Sequence, residues 1–414
     1  LTSGQALGTI RKTVSGLEPT AGSGIQVTKR ARIPVSRHSR NIDLSQIREL
    51  MAVMEILFFL LGLALLIAGA EALVRGASRL ASALRIAPLV IGLTVVAFGT
   101  SSPELAVSIK SALSDQASIA VGNVVGSNIF NVLFILGLSA LITPLAVSQQ
   151  LVRIDVPLMI ALSILVLILS LDEMLGRANG LVLVVGLIVY VGLLIYQSRR
   201  QGARAGEGDA ENPESGAHAR AGLLKSACLA LGGLVLLVLG SRWLVDGAVY
   251  FAQRLGVSEL VVGLTIVAAG TSLPEVITSV IAALRGERDI AVGNVVGSNI
   301  FNLMGVLGIA SIVAPNGIEI SAAVIGFDLP VMIGVALICL PIFFTGGVIS
   351  RQEGALLMGY YVAYTLYLVL AASHHDALPK LSAVMLYFVI PLTVVAMIGT
   401  PLREIRSRRA RSTD

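Results

Sequence analysis

The sequence predicts an all-α integral membrane protein built from two inverted five-helix repeats, ten transmembrane helices in all, plus one extra C-terminal transmembrane helix. Three observations predict it. Hydrophobic residues make up 55% of the 414 residues, mean hydropathy is +0.87, and charged residues are only 13%, against about 25% in ordinary soluble domains. Apolar stretches long enough for a membrane-crossing helix of roughly 20 residues recur along the chain. The segment Ile119–Asn131, IAVGNVVGSNIFN, returns letter for letter as Ile290–Asn302, and self-similarity at a fixed offset marks a duplicated unit.

Taken in order, residues 1–53 form a basic tail, and the first repeat occupies 54–196 with spans at about 54–74, 88–112, 119–142, 154–171 and 179–196. A linker over 197–222, rich in Gly, Ala, Glu and Arg, reads as a flexible connection. The second repeat occupies 223–372 with spans at about 223–245, 259–284, 290–313, 324–345 and 354–372. The extra span falls at about 381–399, before a basic tail over 400–414.

The duplication extends well beyond the identical run. GTSSPE at Gly99–Glu104 answers GTSLPE at Gly270–Glu275, and Leu73–Ala77 answers Leu244–Ala248, each at an offset of 171. An odd number of spans per repeat makes the second copy enter the bilayer from the opposite side. Such inverted repeats recur in secondary transporters, whose sites lie near the midplane where the copies meet.

Orientation follows from the basic residues. Turns after the odd-numbered spans carry Arg75, Arg79, Arg85, Arg153, Arg199, Arg200, Arg285, Arg288 and Arg351, and the C-terminal tail adds the Arg403–Arg411 cluster. The other side carries only Lys110, Arg177, Arg242, Arg254 and Lys380. The linker and C-terminus are therefore expected in the cytoplasm. Residues 1–50 break the pattern, since their net charge of +5 would lie outside. They read either as an extension upstream of a natural start at Met51 or Met54, which the topology favours, or as a disordered basic arm. The tail accounts for the whole chain's formal +5, so the basic isoelectric point gives no reason to expect nucleic acid. Cys228 and Cys339 lie far apart in apolar spans and read as packing residues.

The chemistry is concentrated in the second span of each repeat. Glu104 and Glu275 stand between apolar runs, and a carboxylate at membrane depth costs several kcal/mol unless a cation or proton compensates it. Pro103 and Pro274 carry no amide hydrogen, which takes the helical partner from the carbonyls of Gly99 and Gly270. Thr100, Ser101, Thr271 and Ser272 add oxygens within a turn. Carboxylate, hydroxyl and carbonyl oxygen together suit hard cations such as Ca²⁺. In the third span Ser127 and Asn131, repeated as Ser298 and Asn302, share a helical face. The Gly122/Gly126 and Gly293/Gly297 pairs read as helix-packing patterns.

These motifs, GTSSPE and GTSLPE each followed by GSNIFN, resemble the two repeats of the sodium/calcium exchanger family within the Ca²⁺:cation antiporter superfamily, of the prokaryotic type. The resemblance covers roughly residues 54–372. It implies a ten-helix fold in which helices two, three, seven and eight form the ion site while long helices one and six slide across them. It makes Glu104 and Glu275 central ligands shared by Ca²⁺ and Na⁺, with Thr100 and Thr271 giving backbone oxygen and Ser101 and Ser272 hydroxyls. Ser127, Asn131, Ser298 and Asn302 would complete the site, and Ala97 and Ala268 would lend carbonyls to outer Na⁺ positions. Several relatives have Asp where this chain has Asn302, which argues against potassium co-transport. The implied activity is Na⁺/Ca²⁺ antiport in a cell membrane, with no enzymatic step.

The expected partners are inorganic cations and the lipid bilayer, with no prosthetic group and a single chain sufficing. The rival reading is Ca²⁺/H⁺ exchange on the same glutamates, and a passive cation channel stands further off. Asp155 and Asp328, each two residues before a proline, read as helix caps. Glu71 with Arg75, and Arg242 with Asp246, read as neutralising pairs four residues apart. His374–Asp376 reads as a solvated turn, and Trp243 as an interfacial anchor.

Overall fold

The computed structural model describes residues 44–114, 117–205, 216–255, 268–344, 346–373, 377–384 and 387. Among them the chain is a multi-pass bundle with eight helices long and apolar enough to cross a membrane, or nine if one bent pair is a single span. The expected span at 259–284 is described only from residue 268 onward, and that at 381–399 only at its start; the His374–Asp376 turn lies outside the described residues.

Helix α1, Leu44–Leu84, runs further than its apolar stretch. No proline interrupts it, and Glu71 on it bridges Arg75, and also Arg285 from the second half. Arg242 and Asp246 form no ion pair among the described residues, so the neutralising reading holds for the first copy alone. Arg85, in the left-handed region at φ 53, ends the helix. Then α2, Pro88–Thr100, and α3, Ser102–Leu113, make a broken span bent by 46°. Ser101 at the break has left helical geometry, and Pro103 sits in the first turn of α3, where its missing N–H costs nothing. The remainder of the first half is α4 (Ile119–Ile142), α5 (Leu151–Leu169) and α6 (Arg177–Ala205).

The second half repeats the plan. Helix α7 is Gly216–Arg254, α8 is Ala268–Gly270, and α9, Leu273–Leu284, again starts with a proline in its first turn. Next come α10 (Arg288–Val313), α11 (Val324–Phe344) and α12 (Arg351–Ala372), with α13 at Leu378–Val384. A capping box of Ser350 and Glu353 opens α12.

The two halves are interleaved. Short strands β1 (Leu145–Ala146), β2 (Met174–Leu175), β3 (Ile318–Glu319) and β4 (Val348–Ile349) pair antiparallel as β1 with β4 and β2 with β3, each pair joining one half to the other. Helices pack across the same divide: a Cβ at Gly354 would lie 2.7 Å from the Gly137 carbonyl oxygen, and one at Gly180 would lie 2.5 Å from that of Gly308. The long helices α1 and α7 meet backbone to backbone. A Cβ at Gly62 would lie 2.9 Å from the Gly240 carbonyl oxygen, at Gly69 2.7 Å from that of Gly233, and at Gly76 2.6 Å from the Ala230 nitrogen. Rising numbers on α1 meet falling numbers on α7, so the two helices run antiparallel. Trp243 packs on α1 against Phe58, with ring centroids 5.4 Å apart. Cys339 is buried as expected, whereas Cys228 is exposed and free.

Candidate cation site

The two breaks bring their polar residues to the centre of the bundle. Glu104 and Glu275, each 1% exposed, lie in the first turns of α3 and α9, where the positive end of a helix dipole favours negative charge. Each is held by the opposite half: Ser101 Oγ donates to Glu275 Oε1 at 2.9 Å, and Ser272 Oγ donates to Glu104 Oε1 at 2.7 Å. Ser127 Oγ is 3.3 Å from Ser272 Oγ, which joins α4 to the cluster. The other carboxylate oxygens, Glu104 Oε2 and Glu275 Oε2, are buried with no hydrogen-bond partner among the described residues.

Seven more buried oxygens share that condition among the described residues: Ser139 Oγ, Tyr250 Oη and Thr278 Oγ1, which the sequence did not point to, and four others, Thr271 Oγ1, Ser298 Oγ, Asn131 Oδ1 and Asn302 Oδ1. These last four belong to the residues singled out by sequence. A buried polar group without a partner costs about 1–3 kcal/mol, and a charged one more. Such a set of acceptors therefore has reason to exist only if something supplies positive charge, and oxygen-only donors suit a hard cation. Two carboxylates with no basic side chain in ion-pair contact match one divalent or two monovalent ions. Among the described residues no group of three or more His, Cys, Asp or Glu side chains comes together, so a soft-metal site has no support here.

The carbonyls that the prolines were expected to free have donors. Gly270 O accepts Ser241 Oγ at 2.7 Å from α7, and Gly99 O accepts a backbone N–H where the chain tightens at the end of α2. Ala97 O likewise accepts the Ser101 amide at 3.0 Å. These carbonyls keep one lone pair each. Thr100 turns its hydroxyl to Asn294 Oδ1 at 3.1 Å.

Four asparagines of the duplicated run were missed by the sequence reading. Asn123 Nδ2 donates to the Glu104 carbonyl at 3.1 Å and to Ser108 Oγ at 3.0 Å; Asn294 Nδ2 reaches the Glu275 carbonyl at 3.4 Å and Ser279 Oγ at 2.9 Å. They fasten each glutamate's helix to the next. Asn128 and Asn299 meet across the centre, each donating to the other's backbone carbonyl at 3.4 and 3.3 Å. Asn131 Nδ2 donates to Asn299 Oδ1 at 3.0 Å, and Asn302 Nδ2 to Asn128 Oδ1 at 3.1 Å, which spends both amide donors and leaves their oxygens open. Asn131 and Asn302 each begin a π-helical turn, a feature that gathers at functional sites. The signal that could have found all four is the one already in use, identity at an offset of 171.

Gly293 and Gly297 pack as expected: a Cβ at Gly297 would lie 2.7 Å from Leu93 backbone atoms, and one at Gly293 would lie 3.0 Å from the Leu89 carbonyl oxygen. The positions that repeat Leu89 and Leu93 at the offset of 171, numbers 260 and 264, lie outside the described residues. Among the described residues Gly122 and Gly126 line a cavity of about 510 Å³ with Asn123, Ser127, Thr271, Asp328, Tyr361 and Tyr364. The capping role expected of Asp155 fails. It sits in helical geometry with no side-chain cap, at the end of a π-helical turn, Leu151–Asp155, that leaves no free first-turn amide for it. Its carboxylate instead accepts Tyr190 and Gln150.

Comparison with known proteins shows the family of the chain. The chain matches the sodium/calcium exchanger protein family over residues 54–196 and 225–370. It is 34% identical over 345 residues to the sodium/calcium exchanger MaX1 of Methanosarcina acetivorans, covering 76% of this chain and 98% of the relative. It is 39% identical over 280 residues to the inner membrane protein YrbG of Escherichia coli, covering 67% and 85%. A solved structure of the sodium-calcium exchanger NCX_Mj, soaked with 10 mM Na⁺ and zero Ca²⁺, superposes with a TM-score of 0.65 at 30% identity, over 78% of this chain and 99% of that one.

Proposed function

The chain belongs to the sodium/calcium exchanger family, and from that premise we propose that it exchanges Na⁺ for Ca²⁺ by alternating access, both ions competing for Glu104 and Glu275. The observation that carries the reading is the reciprocal pair of Ser–Glu bonds, each leaving one carboxylate oxygen buried and unpartnered. Each half thus completes the other's ligand, and a site so made sits where the halves meet. One Ca²⁺ neutralises two carboxylates, and so do two Na⁺, so occupancy by one ion excludes the other. Ser127, Ser298, Thr271, Asn131 and Asn302 supply neutral oxygens around the pair.

Inversion of the repeats is supported by the antiparallel course of α1 and α7, the first long helices of the two halves. The strand pairs support it as well. Strand β1, after the third span, pairs with β4, between the ninth and tenth, and β2 pairs with β3 in the converse way. Equivalent loops of two parallel repeats would lie on one face and could not cross-pair like this. Alternating access is the part of the proposal that rests on membership of the family. Gly122, Gly126, Ser127 and Thr271 line a cavity together with Asp328, and with the basic residues placed in the cytoplasm that cavity faces outward.

In proteoliposomes, Ca²⁺ uptake driven by an outward Na⁺ gradient and indifferent to a protonophore is the expected result. Uptake that requires a pH gradient and ignores Na⁺ would transfer the same glutamates to Ca²⁺/H⁺ exchange.

A further inference from the structure

Resting on the exchange reading, we propose that Asp328 is the carboxylate that draws cations through the open cavity toward Glu104 and Glu275, and that Asp155 serves the opposite face in the same way when access is reversed.

The two aspartates are built alike. Each closes a π-helical turn at the head of the fourth span of its half, Leu151–Asp155 and Val324–Asp328. Each stands with a tyrosine of the fifth span: Tyr190 Oη donates to Asp155 Oδ1 at 2.9 Å, and Tyr364 lines the same cavity as Asp328. Neither forms an ion pair with Lys or Arg among the described residues, although a carboxylate among apolar helices is expensive unless a cation compensates it. A duplicated acid that lacks a basic partner in both copies is more than a fastening.

Their surroundings differ. Asp155 is 0% exposed and takes a second donor, Gln150 Nε2, at 3.2 Å. Asp328 is only partly buried and lines the cavity that reaches Ser127 and Thr271. Tyr361, Tyr364 and Thr365 line the same space, so hydroxyl oxygens accompany the path between Asp328 and the centre. Ala323 stands where the position of Gln150 would repeat, so the donor that Asp155 receives from its own turn has no counterpart there. Among the described lining residues Asp328 is the one with a formal charge, and a charge at the wall of a passage raises the local concentration of hard cations without a full coordination shell.

The test is sided kinetics in membrane vesicles of each orientation, with wild type, Asp328→Asn, Asp155→Asn and Asp328→Glu compared at equal thermal stability. Asp328→Asn is expected to raise the KM for Ca²⁺ roughly 5-fold when Ca²⁺ is presented at the outer face, with KM at the inner face and kcat little changed. Asp155→Asn should give the mirror result, Asp328→Glu should restore the wild-type KM, and high choline chloride should shrink the difference. Equal KM shifts at both faces, or a fall in kcat at unchanged KM, would assign the aspartates a purely structural role and overturn the proposal. Wild-type vesicles that fail to exchange Ca²⁺ for Na⁺ would overturn the exchange reading and this inference together. Normal wild-type exchange with an indifferent Asp328→Asn overturns the inference alone.

Discussion

Replacing Glu104 by glutamine removes one charge and almost nothing else. The Gln amide oxygen can still accept Ser272 Oγ, now 2.7 Å from Oε1, and the volume is unchanged at a position only 1% exposed. A divalent ion about 2.4 Å from a carboxylate oxygen gains on the order of 14 kcal/mol at an effective dielectric constant of about 20. Desolvation returns most of that, and unpairing a buried charge costs about 3–5 kcal/mol net. Ca²⁺ affinity should therefore fall roughly 150- to 5,000-fold. Two assays read it. Na⁺-driven ⁴⁵Ca²⁺ uptake should drop to background. Thermal unfolding separates binding from folding: at Ca²⁺ near 100 times the wild-type Kd, the wild type gains about 2.7 kcal/mol of stability, whereas a 150-fold weaker variant gains about 0.3 kcal/mol. Without cations the variant should be no less stable than wild type, because an uncompensated buried charge has been removed. Exchange within about threefold of wild type, or an undiminished Ca²⁺-dependent stabilisation, would refute the two-carboxylate site.

Ser101→Ala and Ser272→Ala should each weaken Ca²⁺ binding about 10- to 100-fold, since each removes a hydrogen bond to a charged group worth about 1.5–3 kcal/mol; equilibrium binding that separates one sharply from the other would contradict their reciprocity. Gly69→Val drives a side chain against the backbone of Gly233 and Leu237, and should cost about 1–3 kcal/mol in thermal unfolding. Gly232→Val, with nothing within 4 Å among the described residues, should be close to neutral, and equal effects would count against the seam between α1 and α7. Gly297→Ala should disturb the packing of α2 on α10 and make a cysteine at Leu93 reactive to a thiol reagent; reactivity unchanged from the parent would count against that contact.

The parts of the fold and site readable from sequence were those in which one residue type has one physical use. Glu104 and Glu275 could be read because a carboxylate in an apolar run has few bland explanations, and duplication removed most of those. Asn128 and Asn299 stood in the same duplicated run, yet their use depends on meeting each other across the centre, which no spacing within one helix reveals. Asp155 misled for a related reason. Asp followed two residues later by Pro looks the same whether the acid caps a helix or closes a π turn, and the choice is made by Tyr190, 35 residues away. The seam of Gly62, Gly69 and Gly76 against Gly233 and Gly240 was within reach, since the same offset of 171 relates Gly62 to Gly233 and Gly69 to Gly240.

The crossing of strands between the halves bears on what the segment joining α6 to α7 is for, a shorter stretch than the expected linker at 197–222 because α6 runs to Ala205 and α7 starts at Gly216. With β1 on β4, β2 on β3, Ser101 on Glu275 and Ser272 on Glu104, neither half finishes its own hairpins or its own ligand. Covalent continuity adds only a high local concentration to an association that these contacts already specify. A chain nicked in the linker, or two halves made as separate polypeptides, would assemble into the same working unit. The junction is thus a place where the gene could be cut while the machine stays whole.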